Sequence, residues 1–249
     1  MMILIAILGA SLGSFCASLA SRFSENFKLF TLRSFCFSCG NKLGIFELMP
    51  LFSYLFLKAK CKHCGVKIPF ILFLSEIIGV FLLELCFYLS ENFYDFLILT
   101  LFLFNLFLLS LIDIKLKAVP EFLLWSAFLF AFIYAFDEKE FLNLFVFEEF
   151  DSGFLVYAAL FAGFMFLLKN FVCFVSSFKE KKNEENLGEA DIIILSCMGG
   201  ILGFKLGFLT LFIASILSLP FFLIQKKLAF IPFLSLAFIM VLFYKNLGI

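Results

Sequence analysis

Eight apolar runs separated by short charged islands dominate this chain, at residues 1–20, 70–89, 96–112, 122–136, 154–174, 192–204, 207–224 and 228–243. A hydrocarbon bilayer core takes about 17 to 25 residues of helix, and inside lipid every backbone N–H and C=O must be satisfied within the segment itself. Runs of this length therefore predict membrane-crossing helices and exclude an ordinary soluble domain. The run at 192–204 is short for a full crossing and ends among Gly199, Gly200 and Gly203, which predicts a tilted or partial span. The first run resembles a signal peptide, but no basic residue precedes it, and it reads as a retained helix. The fold class expected is an all-α polytopic membrane protein of about eight transmembrane helices, with a small zinc-ribbon-like cytoplasmic loop domain.

The islands orient the spans. Residues 22–69 hold eight basic residues (Arg22, Lys28, Arg33, Lys42, Lys58, Lys60, Lys62 and Lys67) against Glu25 and Glu47, a bias that places this loop in the cytoplasm and the amino terminus outside. Alternation then puts the 91–95 and 137–151 loops outside. Lys115 and Lys117, Lys179 to Lys182, and Lys226 and Lys227 fall inside. Three parts are expected: a first transmembrane helix at 1–21, a cysteine-rich zinc-binding loop at 22–69 and a transmembrane catalytic region at 70–249.

The cytoplasmic loop carries Cys36-Phe37-Ser38-Cys39 and Cys61-Lys62-His63-Cys64, each followed by glycine and separated by 21 residues. Two such turns bring four thiolates onto one tetrahedral ion and leave no position open for substrate, so the expected role of Cys36, Cys39, Cys61 and Cys64 is structural zinc. Lys42, Lys60 and Lys62 favour the thiolate forms. The competing reading is a pair of disulfides or a redox relay, which a reducing compartment disfavours. Cys16, Cys86, Cys173 and Cys197 fall in apolar runs and read as small core hydrophobes.

His63 is the only histidine and lies inside the second knuckle, which removes most Ser-His, Cys-His and His-metal hydrolases from consideration. Carboxylates remain. Asp113 ends one apolar run just before Lys115, and Asp191 opens another within Gly188-Glu189-Ala190-Asp191, so both fall at the cytoplasmic membrane edge. A carboxylate at membrane depth is costly and is kept where it is used. Two aspartates a few Å apart share a proton, so one activates a water while the other hydrogen-bonds the carbonyl under attack. Two other readings compete. A carboxylate-lined transporter would use Glu76 and Glu84, two turns apart on one span, and a non-catalytic assembly scaffold would need neither aspartate.

With these residues laid out, the chain resembles the type IV prepilin leader peptidases, the GxGD-type aspartic proteases of the bacterial inner membrane. Gly9-Ala10-Ser11-Leu12-Gly13-Ser14-Phe15 with Arg22 is similar to the family's amino-terminal motif. The two cysteine pairs flank Met49-Pro50-Leu51 and are followed by Ile68-Pro69 and Glu76. Asp113 with Val119-Pro120, then Gly188 to Asp191 with Gly199, Gly200 and Gly203, resemble the two catalytic blocks, and Ile231-Pro232-Phe233 the last-span motif. Two positions depart from the pattern: Ala190 replaces the second glycine, and Ile193 stands where many members carry lysine.

The resemblance implies Asp113 and Asp191 as the catalytic dyad, a prepilin or pseudopilin substrate with a short basic leader, membrane lipid as surroundings and no nucleic-acid partner. It also implies that the new amino terminus is a target for methylation by S-adenosylmethionine, as in members with a cysteine-bearing loop. No Gly-x-Gly-x-x-Gly following a strand pattern supports that cofactor independently.

Overall fold

A computed structural model describes residues 2–24, 34–36, 38–44, 47, 54, 56, 59–136, 153–177, 188–222 and 228–247. The 137–152 loop, the 178–187 stretch, Lys226, Lys227 and Met49-Pro50-Leu51 lie outside the described residues. Seven helices are described: α1 (Met2–Ser24), α2 (Phe70–Leu89), α3 (Phe93–Leu116), α4 (Glu121–Tyr134), α5 (Phe154–Ser177), α6 (Glu189–Phe222) and α7 (Ile231–Asn246). Five of them are long and apolar enough to cross a membrane, while α4 and α7 are shorter apolar helices. The protein is thus an all-helical polytopic membrane fold, and its helices gather into two compact units, residues 1–115 and 116–249.

In the first unit α1 and α2 pack antiparallel with their backbones in contact. Gly9 lies against Gly79, where an added Cβ would meet the Gly79 carbonyl oxygen at 2.6 Å, and Gly13 lies against Ser75 and Gly79. Small residues four apart on both helices are what permits this approach, since lipid offers no hydrophobic drive and the helices must gain by close packing. The Gly9 to Phe15 segment is therefore first a packing device. α3 runs parallel to α1: the Cys16 thiol lies 3.8 Å from the Phe104 carbonyl oxygen, and Lys115 Nζ donates to Ser21 Oγ at 2.8 Å. Leu99, Phe102, Leu109 and Ile112 are wholly buried, so α3 is the central helix of its unit.

In the second unit α6 packs against α4, α5 and α7. Its regularity breaks once, at Gly203, with φ 79 and ψ 180, a backbone region that is essentially glycine's alone. A Cβ added at Gly207 would lie 3.2 Å from the Gly199 Cα, whereas eight residues of uninterrupted helix separate such atoms by about 12 Å. The chain thus folds back at Gly203 into a tight helical hairpin of residues 189–202 and 204–222. The two apolar runs at 192–204 and 207–224 are its arms, and the first, about 21 Å long at 1.5 Å per residue, is shorter than a bilayer core.

The Phe161 ring covers the crossing, lying against Gly199 and, 2.5 Å from an added Cβ, against Gly207, while Phe154 covers Gly200. Lys245 of α7 donates to the Ile201 carbonyl oxygen at 3.3 Å, on one of the carbonyls that the break deprives of a helical partner. Gly203→Ala forces a side chain into the forbidden region and is expected to destabilise the protein by about 1–3 kcal/mol, read as a lower thermal midpoint in detergent. An unchanged midpoint would contradict the hairpin.

Three of the four apolar-run cysteines, Cys16, Cys86 and Cys197, are buried as expected, but Cys173 is exposed. It shares the outer side of α5 with exposed Phe171 and Phe174. Hydropathy alone does not distinguish a side facing protein from one facing lipid.

Candidate functional site: a cysteine cage and two helix-end aspartates

Each cysteine knuckle is a miniature hairpin built by the same backbone bonds. Cys36 N–H donates to Asn41 C=O at 2.9 Å, Gly40 N–H to Cys36 C=O at 2.8 Å and Leu43 N–H to Ser34 C=O at 3.0 Å. In the second knuckle Cys61 donates to Val66 at 2.8 Å, Gly65 to Cys61 at 2.9 Å and Ile68 to Ala59 at 2.8 Å. Gly40 and Gly65 both take φ 70, the left-handed turn that lets the chain reverse behind its second cysteine.

The result brings all four Sγ atoms within 4.8 Å of one another. Cys36 Sγ and Cys64 Sγ are 3.8 Å apart, nearly twice a disulfide bond. It equals the roughly 3.8 Å edge of a tetrahedron with 2.3 Å metal–sulfur bonds. The donor set and spacing fit a metal ion.

The backbone prepares the thiolates. The Cys39 N–H beside Cys36 holds its thiol down at about 7, and the Cys64 and His63 N–H groups lower Cys61. Cys64 accepts from Val66 N–H, which lowers it, but desolvation and the Cys61, Cys39 and Cys36 sulfurs outweigh that and push it up to about 11. Crowded sulfurs resist becoming anions together, and a dication relieves the conflict. Cys36→Ser is expected to lower bound zinc well below one per chain, measured by elemental analysis of purified protein. Full metal content in that variant would remove the cage reading.

Asp113 is buried in the last turn of α3, followed by Lys117 at φ 53, where the helix ends. Asp191 is half-buried in the first turn of α6, and its Oδ2 accepts the Gly188 N–H at 3.3 Å. An acid reaching back from the third helical position to the N-cap amide is one half of a capping box, and the helix N-terminus favours its charge. A Cβ at Gly188 would stand 3.3 Å from that same Oδ2, so glycine leaves the carboxylate its room. Ala190 sits in regular helix, where its methyl group is accommodated without strain. Glu189 pairs with Lys169 of α5 at 3.7 Å, which ties the start of α6 to its neighbour.

Glu76 and Glu84 do not line a common path. Glu76 is buried and accepts from Ser14 Oγ at 2.9 Å in the α1–α2 crossing, whereas Glu84 is exposed. Eight residues turn a helix by about 80° beyond two full turns, enough to separate the two faces. The transporter reading loses its ion path. The Ser14–Glu76 bond and the covering role of Phe161 were not foreseen from the sequence; the only signal for the first was small residues four apart on both segments.

The family model for the bacterial peptidase A24 N-terminal domain matches residues 7–90, and that for the type IV leader peptidase family matches residues 98–223, just over half of the chain. A prepilin leader peptidase/N-methyltransferase from Vibrio cholerae is 30% identical over 173 residues, covering 69% of this chain and 62% of that protein. One from Dichelobacter nodosus is 27% identical over 226 residues, covering 86% and 71%, and one from Bacillus subtilis is 36% identical over 78 residues, covering 31% and 32%. The chain thus spans less than two thirds of the Vibrio cholerae relative's length. No solved structure matches it with significance.

Proposed function

Because the chain belongs to the type IV leader peptidase family, we propose that it is a membrane aspartic endopeptidase that removes the basic leader of a prepilin or pseudopilin at the membrane edge. The observation that carries this reading is that the matched region, residues 98–223, contains both Asp113 and Asp191.

In the proposed reaction one ionised aspartate takes a proton from water as it attacks the scissile carbonyl, and the other, protonated, hydrogen-bonds the carbonyl oxygen and then protonates the departing amine. Gly188 orients Asp191 through its N–H. Cleavage at the cytoplasmic edge of the inner membrane, with the amino terminus outside, accords with the basic bias of residues 22–69.

Zinc held by Cys36, Cys39, Cys61 and Cys64 would fold the loop and supply no step of the cleavage. Methylation of the new terminus with S-adenosylmethionine is proposed from the relatives' names. Among the described residues no feature marks that cofactor's site.

The test is reconstitution with a prepilin-like peptide carrying a basic leader ahead of an apolar helix. Mass spectrometry is expected to find the leader released at a single bond. An intact substrate in the presence of folded, membrane-inserted protein would overturn the reading.

A further inference from the structure

Four thiolates around a dication leave a double negative charge, and Lys42, Lys60, Lys62 and Lys67 supply twice as much positive charge, so a basic surplus remains after the metal site is balanced. Lys42, Lys60, Lys62 and Lys67 are all exposed, and none makes an ion pair among the described residues. Lys60 and Lys67 stand directly opposite each other in the second hairpin, an arrangement that costs stability in any antiparallel pair. The one described acid of the loop, Glu47, is turned onto its own backbone, where its Oε2 accepts the Gly44 N–H at 2.7 Å. A hairpin that keeps like charges face to face, with Glu47 the one acid among the described residues of the loop, presents a surface suited to an anion outside the chain.

Two aromatic contacts fix where the cage sits. The buried Arg22 guanidinium at the end of α1 lies 6.0 Å over the Phe35 ring beside the first knuckle. Tyr54 of the loop stacks on Phe73 in the first turn of α2, with ring centroids 4.8 Å apart. The second knuckle ends at Ile68, and α2 begins at Phe70. The cage is therefore held at the ends of two membrane spans, within reach of the headgroup layer. Val66, next to Lys67 in the second hairpin, is exposed, as is Phe56 elsewhere in the loop, a mixture of apolar and basic groups that suits a membrane interface.

We propose that the four exposed lysines of the cage form a docking face for anionic phospholipid headgroups, which seats the cage on the membrane surface beside α1 and α2. The inference rests on the membrane placement of the helices and not on the peptidase reading. It also explains the basic surplus of a loop that would otherwise repel a basic leader. An acidic protein segment is the rival occupant, and the attachment at two helix ends favours lipid.

The test is lysine acylation of the full chain, followed residue by residue by mass spectrometry, in nanodiscs of phosphatidylcholine and of phosphatidylcholine with phosphatidylglycerol. Anionic lipid is expected to slow acylation of Lys42, Lys60, Lys62 and Lys67 by about five-fold relative to a free lysine peptide in the same sample, as an attraction of the usual strength per charge gives. The effect should vanish at about 1 M salt, where the screening length falls to about 3 Å. In a Lys60→Gln/Lys67→Gln variant, protection of the remaining Lys42 and Lys62 should fall.

Equal rates in the two lipids, equal slowing of the free peptide, or protection that survives high salt would each overturn the proposal. Protection produced in phosphatidylcholine discs by a soluble acidic peptide, with no effect of phosphatidylglycerol, would overturn it in favour of a protein partner. Zinc measured on the same samples separates failure of the cage from failure of the docking.

Discussion

Asp191→Asn is expected to lower leader cleavage by about 10³-fold or more, within the range that general acid–base groups contribute, with little change in folding. Asparagine has nearly the shape of aspartate, and its amide oxygen can still accept the Gly188 N–H that the carboxylate accepts at 3.3 Å. The cap is kept while the proposed acid–base group is lost. Asp113→Asn, at the buried end of α3, is expected to act alike. Initial rates in proteoliposomes, with thermal midpoints on the same preparations, separate chemistry from folding. Near-normal cleavage in either variant would remove that aspartate from the dyad, normal cleavage in the double variant would move the chemistry to other groups of the chain, and no cleavage by folded wild type would leave the non-catalytic scaffold as the better reading.

Gly79→Leu is expected to prevent stable folding of the first unit, a larger effect than ordinary overpacking at about 1–3 kcal/mol. A Cβ there would stand 2.8 Å from the Gly13 Cα and 2.9 Å from the Gly13 nitrogen, and would run into the Gly9 carbonyl. These are backbone atoms, so no rotamer change relieves the clash, and α1 and α2 must separate. Separation also parts Ser14 from Glu76, leaving a carboxyl in the apolar layer without that donor. Gly163→Leu on α5 is the matched control, since a Cβ there meets nothing within 4 Å. The yield of monodisperse protein and its thermal midpoint should fall for Gly79→Leu and hold for Gly163→Leu. A Gly79→Leu protein as stable as wild type would contradict the crossing.

Helices were legible because lipid imposes a length and an apolar composition on any crossing segment, so six of the eight runs reappear as separate helices near their expected ends. The remaining two, 192–204 and 207–224, share α6, and the sharpness of their reversal depends on a single φ at Gly203. The Gly199, Gly200 and Gly203 cluster signalled an irregular span without showing which residue turns or what fills the space. The answer, Phe154 and Phe161, comes from α5, well away in sequence. One phenylalanine among 43 carries no local mark of such a role.

The cage was the most legible part of the site. Two Cys-x-x-Cys-Gly knuckles dictate their own turns through local backbone bonds, and four soft ligands state their own chemistry. Glu76 was the least legible: as a residue in a sequence it suits ion conduction as well as packing, and only its bond to Ser14 and the exposure of Glu84 distinguish the two.

From the chain alone came what depends on local composition: membrane spans, a four-cysteine cluster, two aspartates at span ends and a family resemblance. Tertiary structure decided what depends on contacts between distant residues: the Gly9, Gly13 and Gly79 crossing, the fold-back at Gly203 under Phe161, the Lys245 cap on Ile201, and the outward turn of Cys173. The physical reason is that hydropathy is a property of each segment, whereas the face a helix buries is set by the backbone or ring that packs against it.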